Sequence, residues 1–67
     1  MNIYFNDKLH QIESGTALQL VINNFIGEKQ KGIAVAINDF VIPKQHWHTH
    51  FLQADDKVLV ITATQGG

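Results

Sequence analysis

A single stripe of apolar residues in this sequence repeats with the period of an α-helix. Its members lie on one helical face, at spacings of 3, 4, 7 and 8 residues: Leu18, Val21, Ile22, Phe25 and Ile26. Thr16 and Gln19 match a capping box, which predicts that the helix begins at Thr16, and Gly27 is expected to end it. Because one helix can cover only one face of a sheet, the stripe favours an α+β roll.

The other apolar segments are short and predict five strands. They cover residues 2–6, about 8–13, 33–37, 40–42 and 57–63. Turn residues at 6–8 make the first two an N-terminal hairpin, in which Tyr4 points away from the core. In the second strand, Leu9 is expected to point inward, together with either Gln11 or Ile12.

The connections carry residues that turns require. An Asn-Asp pair at 38–39 is predicted to join the third and fourth strands, and Pro43 to end the fourth. An Asp-Asp pair at 55–56 is predicted to turn the chain into the fifth strand. Trp47 and Leu52 are expected to anchor the irregular segment before that turn. The predicted order is therefore ββαβββ, a mixed five-stranded sheet with one main helix across one face.

Composition restricts the function more than the fold. At 67 residues the chain is expected to be one domain, residues 1–67, with a flexible tail at about 64–67. Without cysteine it has no disulfide, thiolate metal site or cysteine nucleophile. A net charge of -1 gives no reason to expect nucleic-acid binding, and no apolar run is long enough for a membrane span. Since the first residues lack a signal-peptide pattern, the cytoplasm is the expected location.

The sequence ends in two glycines, Gly66 and Gly67, soon after the apolar run of the last predicted strand. Such an end can be incidental. Alternatively, a tail without Cβ atoms can enter a narrow cleft and present the Gly67 carboxylate to a reactive group.

Three histidines alternate at positions 46, 48 and 50. A strand would place His46, His48 and His50 on one side, whereas a helical turn would align only His46 and His50. Three imidazoles on one side could bind Zn²⁺ or Ni²⁺. No carboxylate or cysteine stands at a matching position, and the segment is typical of a surface loop, so no metal site is predicted. His10 is expected to be a solvated strand residue.

Together these features resemble the ThiS family of sulfur carriers, which have the ubiquitin-like β-grasp fold. Essentially the whole chain shares the resemblance, through NIYFND, ESGTALQLV, AVAINDFVIPKQHW, ADDKVLVI and the terminal GG. All ubiquitin-like carriers have the two glycines, so the segment AINDFVIPKQHW, with its Pro and Trp, is the more specific signal. Relatives usually have Gly-Asp where this chain has Asp55-Asp56.

The resemblance implies that Gly67 is the working residue, with Gly66 and Gln65 in the tail before it. A ThiF-like adenylyltransferase would use ATP and Mg²⁺ to join AMP to the Gly67 carboxylate. A cysteine desulfurase or another persulfide donor would supply sulfur. A ThiG-like thiazole synthase would consume the resulting thiocarboxylate in making the thiazole of thiamine. The chain would bind no cofactor itself and would be a carrier and substrate, not an enzyme.

A carrier also needs a surface that its partners recognise. Similarity to the β-grasp pattern places Val58 and Val60 under the helix. It also predicts a set of docking residues on the open face of the sheet: Tyr4, Ala34, Ala36, Leu59 and Ile61. The alternative is that these are the scattered exposed apolar residues that any small domain has.

Three other functions stay open at this point. A MoaD-like carrier would hand sulfur to a molybdopterin precursor, although such chains are usually longer and lack the Pro-Trp segment. A ubiquitin-like modifier would join Gly67 to a lysine amine of another protein. An interaction module would have no use for its glycines.

Overall fold

The computed structural model describes residues 1–62, which form a five-stranded mixed sheet with one α-helix across one face. The elements are β1 Asn2–Phe5, β2 Lys8–Gln11, α1 Leu18–Phe25, β3 Ile33–Ile37, β4 Phe40–Val41 and β5 Lys57–Thr62. Across the sheet the order is β2-β1-β5-β3-β4, with β1 and β5 parallel and the other neighbours antiparallel. The predicted element order is confirmed. The described part of the chain contains no helix long and apolar enough to cross a membrane.

The core lies between α1 and the sheet. Its buried side chains come from the helical stripe, from the inward positions of the strands and from the segment before β5: Ile3, Phe5, Leu18, Val21, Ile22, Val35, Ile37, Trp47, Leu52 and Val58. Burial of each large apolar side chain stabilises the fold by about 1.5–3 kcal/mol. Val60 is partly buried against this core, so both valines of β5 lie on the helix side, as predicted.

The segment between β4 and β5 is anchored by Trp47 and Leu52, as predicted, with only 1% and 2% of their surfaces exposed. It begins with a 3₁₀ turn at Lys44–His46, directly after Pro43. The indole Nε1–H of Trp47 donates a hydrogen bond to the carbonyl oxygen of Ile42 at 2.8 Å. The one polar atom of the ring is therefore satisfied inside the core.

Helix α1 begins at Leu18 rather than at Thr16, and the predicted capping box is wrong because no side chain caps the helix. The backbone N–H of Leu18 donates instead to the carbonyl of His50 at 2.8 Å. The N–H of Gln19 donates to the carbonyl of Trp47 at 3.0 Å. The packed segment before β5 thus supplies the acceptors that the helix start needs.

The last turn of α1 packs on the first hairpin through aromatic rings. Phe25 lies edge-on to Phe5, with 4.7 Å between ring centroids, and its ring is also 4.7 Å from the imidazole of His10. His10 is therefore half-buried, and the prediction of a solvated residue is wrong. Gly27 follows with a φ of +76°, a left-handed conformation that favours glycine, so the predicted helix end is confirmed.

The first hairpin turns through two residues, Asn6 and Asp7, which have left-handed φ values of 48° and 70°. This turn pairs Tyr4 with Leu9. Since paired residues share a face of the sheet, Leu9 points away from the core and is 58% exposed. The prediction that Leu9 points inward is wrong, whereas Ile12 is indeed partly buried against the core.

Candidate functional site

Strand β5 connects the folded body to the predicted tail. It is the central strand of the sheet, between β1 and β3, and it extends to Thr62. The end predicted for this strand at residue 63 lies outside the described residues. The predictions for Gln65, Gly66 and Gly67, and for a flexible tail at 64–67, also lie outside them.

The open face of the sheet, away from α1, holds all five predicted docking residues: Tyr4, Ala34, Ala36, Leu59 and Ile61. We call this set the docking face. The register places Ala34 opposite Ile61 and Ala36 opposite Leu59. Leu59 and Ile61 are 45% and 55% exposed. The structure therefore brings these side chains together on one surface, and their role in binding partners stays a prediction.

Two further exposed apolar residues flank the docking face and were missed by the sequence analysis. Leu9 pairs with Tyr4, and Val41 pairs with Ala36. The two-residue turns carried a signal for both, because such a turn determines the register of its hairpin and hence the face of each residue. With these two residues, apolar side chains cross the open face from β2 to β4.

Charged side chains lie at one end of the docking face. Lys57, at the start of β5, lines a small cleft of about 120 Å³ together with Asp7 and Asp39 from the two hairpin turns. Strand β5 runs from this cleft toward Thr62 at its other end. The charged end of the docking face and the end that leads to the tail are therefore opposite.

The start of β5 is held by side chains of two turns. Asp56, only 9% exposed, accepts hydrogen bonds from Asn38 Nδ2 at 2.9 Å and from the N–H of Gln53 at 2.8 Å. Asn38 also accepts a bond from the N–H of Lys57, at 2.9 Å, through its Oδ1. Asp55 has a φ of +69°, the conformation that glycine adopts without strain. The Asp55-Asp56 pair is thus a turn, as predicted, whose second carboxylate has a structural role that sequence reasoning missed.

The middle of β5 is held by Asn6, which lies 54 residues before Val60. Strand β1 pairs with β5 only as far as Val58, because the chain turns away at Asn6. The Asn6 N–H donates to the carbonyl of Val58 at 2.9 Å, and its Oδ1 accepts from the N–H of Val60 at 2.8 Å. The side-chain oxygen thus replaces the backbone carbonyl that would complete the next rung of a parallel ladder.

The alternating histidines lie in the segment before β5. His46 and His48 are exposed, and His50 is half-buried. Within residues 1–62 no group of three or more His, Cys, Asp or Glu side chains could hold a metal ion. The backbone carbonyl of His50 instead accepts the hydrogen bond that starts α1.

A helix across a mixed sheet, with the central strand leading to the terminal glycines, defines a small ubiquitin-like β-grasp protein. The crystal structure of the thiamine biosynthesis protein ThiS from Geobacter metallireducens matches this fold with a TM-score of 0.86, over 100% of both chains. The two sequences are 16% identical, so this likeness shows the fold alone. The predicted β-grasp fold is confirmed.

Sequence comparison shows the family. The ThiS family model matches residues 3–67, and the chain therefore belongs to the ThiS family of sulfur carriers. It is 31% identical over 67 residues to the sulfur carrier protein ThiS of Escherichia coli (strain K12), with 100% of each chain covered. It is also 28% identical to the uncharacterized protein ycf40 of Pyropia yezoensis, over 100% of this chain and 93% of that protein. The resemblance predicted from the sequence is confirmed.

Proposed function

We propose that this chain carries sulfur as a thiocarboxylate on Gly67 and donates it for the thiazole of thiamine. The observation that carries this proposal is the family match, which extends to residue 67, the second of the two glycines. The identity with the Escherichia coli sulfur carrier also covers the whole chain. The fold supports the proposal because β5 leads toward these glycines from the centre of the sheet.

The Gly67 carboxylate must be activated, because its negative charge repels nucleophiles and oxide is a poor leaving group. A ThiF-like adenylyltransferase provides the activation with ATP and Mg²⁺. A carboxylate oxygen attacks the α-phosphorus of ATP, pyrophosphate leaves, and an acyl-adenylate forms on Gly67. The chain contributes the carboxylate and no cofactor, so it acts as a substrate of the partner and not as an enzyme.

Sulfur then enters at the activated carbon. The terminal sulfur of a persulfide, made by a cysteine desulfurase or another donor, attacks the acyl-adenylate, and AMP leaves. A second thiol cleaves the S–S bond of the resulting acyl disulfide, forms a disulfide with the donor sulfur, and leaves the thiocarboxylate. Because the chain has no cysteine, none of its own thiols can intercept the acyl-adenylate. A ThiG-like thiazole synthase consumes the thiocarboxylate.

We assign recognition by these partners to the docking face. Tyr4, Leu59 and Ile61 are 37%, 45% and 55% exposed, and they form an apolar surface beside the strand that leads to the tail. An exposed apolar surface of this kind, bordered by the charged residues Asp7, Asp39 and Lys57 at one end, is typical of a protein interaction site.

Reconstitution tests the proposal. After incubation with the ThiF-like enzyme, ATP, Mg²⁺ and sulfide, the intact mass should rise by the difference between sulfur and oxygen. A variant lacking Gly66 and Gly67 is the control, and its mass should not change. Addition of the ThiG-like synthase and its other substrates should yield the thiazole and return the mass to that of the carboxylate. A thiocarboxylate that forms but yields no thiazole would retain the carrier function and refute the thiazole assignment.

A further inference from the structure

We propose that β5 has an open hydrogen-bonding position directly before the tail, and that the adenylating partner fills it with one extended residue of its own. The inference rests on the proposed function, since this partner is the enzyme that acts on Gly67. It adds to that function a specific backbone contact, at the edge of the sheet beyond Asn6.

Alternate residues of β5 direct their backbone groups toward opposite neighbours. Lys57 exchanges hydrogen bonds with Asn38, which follows β3, so the odd-numbered residues of β5 face β3. The N–H of Val60 donates to Asn6, which follows β1, so the even-numbered residues face β1. By the same alternation the N–H of Thr62 faces the β1 side of the strand.

No strand in the described residues reaches this part of the edge. Strand β1 pairs with β5 only at Lys57 and Val58, and Asn6 extends the contact by one rung. The carbonyl of Val60 and the N–H of Thr62 therefore point past the end of β1, without a partner among residues 1–62. One residue of a chain parallel to β5 can pair with both groups, because its N–H can donate to the Val60 carbonyl and its own carbonyl can accept from the Thr62 N–H. We call this pair of groups the open rung.

The position of this open rung indicates which molecule fills it. Ile61, which lies between the Val60 carbonyl and the Thr62 N–H, belongs to the docking face and is 55% exposed, so a strand here also contacts that face. The residues from 63 to 67 span at most about 18 Å when extended, so an enzyme that holds Gly67 in its active site must lie close to Thr62. An extended segment of the adenylating partner is therefore favoured over a second copy of this chain. Addition of a strand to an exposed sheet edge is a common mode of recognition.

The test distinguishes the contribution of the Thr62 N–H to partner binding from that of the Thr62 side chain. Thr62→Pro removes the N–H and restricts Ile61 to the extended backbone that it already has. Thr62→Ala keeps the N–H and is the matched control. Affinity for the ThiF-like enzyme, measured with ATP and Mg²⁺, should fall by about tenfold in Thr62→Pro and stay unchanged in Thr62→Ala. In the wild-type chain, hydrogen exchange of the Thr62 amide should slow on binding, while the Ile61 amide, which faces β3, is protected in both states.

Equal affinities of Thr62→Pro and Thr62→Ala would overturn the inference. The inference would also be overturned if the Thr62 amide exchanged as fast in the complex as in the free chain. This exchange measurement uses the wild-type chain, so it remains a test even if Thr62→Pro does not fold. If the enzyme binds and adenylates the wild-type chain without protecting the Thr62 amide, the open rung is refuted and the proposed function is retained. A wild-type chain that is not adenylated refutes the proposed function and this inference with it.

Discussion

Asn38 and Asp56 lie 18 residues apart in the sequence, and Nδ2 of Asn38 donates a hydrogen bond to Oδ1 of Asp56 at 2.9 Å. The other carboxylate oxygen accepts from the N–H of Gln53, and Oδ1 of Asn38 accepts from the N–H of Lys57. These bonds join the turn after β3 to the turn before β5. They hold the start of the strand that leads to the tail.

Replacement of Asp56 by alanine is expected to lower the free energy of unfolding by about 2–4 kcal/mol. Asp56 is 9% exposed, and its removal deletes the hydrogen bonds that Asn38 Nδ2 and the Gln53 N–H donate to its carboxylate. A hydrogen bond to a charged group contributes about 1.5–3 kcal/mol, and less where water can replace the acceptor, as at the exposed residues Asn38 and Gln53. Urea unfolding measures the change. Glu28→Ala, at an exposed acidic position, is the control and should unfold like the wild type. An unfolding midpoint unchanged in Asp56→Ala would show that the network does not stabilise the fold.

Replacement of the neighbouring Asp55 by glycine is expected to raise the free energy of unfolding instead of lowering it. Asp55 has a φ of +69°, in a region that costs residues with a Cβ atom about 1 kcal/mol and glycine nothing. Part of this gain is lost because glycine has more freedom in the unfolded chain. We therefore expect the free energy of unfolding to rise by about 0.5 kcal/mol, and to fall in Asp55→Ala. A lower value for Asp55→Gly would mean that the aspartate side chain stabilises the turn by more than the strain costs.

The sequence was sufficient to predict those elements that are determined by residues close together in the chain. The apolar stripe predicted α1, and the strand predicted at 33–37 has the same bounds in the structure. The turn at 38–39 was predicted from its Asn-Asp pair, because these residues tolerate the left-handed φ that a two-residue turn requires. Trp47 was expected in the core because large aromatic side chains gain most from burial.

Several of the failures share one physical cause, which is contact between residues far apart in the chain. Thr16 does not cap α1 because carbonyls from the segment before β5 already satisfy the helix start. Asn6 was predicted to end the first strand and begin its turn, and its bond to β5 was missed because nothing near it in the sequence shows that β5 lies beside it. The role of Gly67 was predicted from the resemblance to a family, because two terminal glycines alone do not indicate a particular chemistry. Leu9 is different, since the register of its two-residue turn predicts its face.

Asn6→Gly is expected to loosen β5 near the tail without changing the turn. Glycine adopts the φ of 48° freely, so the only loss is the side-chain acceptor for the N–H of Val60. Relative to Asp7→Gly, which relieves the left-handed strain of this turn in the same way, we expect a loss of about 1 kcal/mol in stability. Amide exchange at Val60 should also be faster. Asp7→Gly is the matched control, because Asp7 is the other left-handed residue of the turn. Identical exchange at Val60 in both variants would show that the Asn6 side chain does not hold the strand.

Ile61→Asp is expected to weaken binding to the ThiF-like enzyme while leaving the fold intact. Ile61 is 55% exposed, so a carboxylate is solvated there in the free chain, but an apolar interface would bury it without a partner. We expect a loss of affinity of about tenfold or more. Leu20→Asp is the matched control, because Leu20 is 53% exposed on α1, on the other side of the sheet. Calorimetric titration gives the affinities, and urea unfolding shows whether both variants fold. Equal affinities of the two folded variants would exclude Ile61 from the interface.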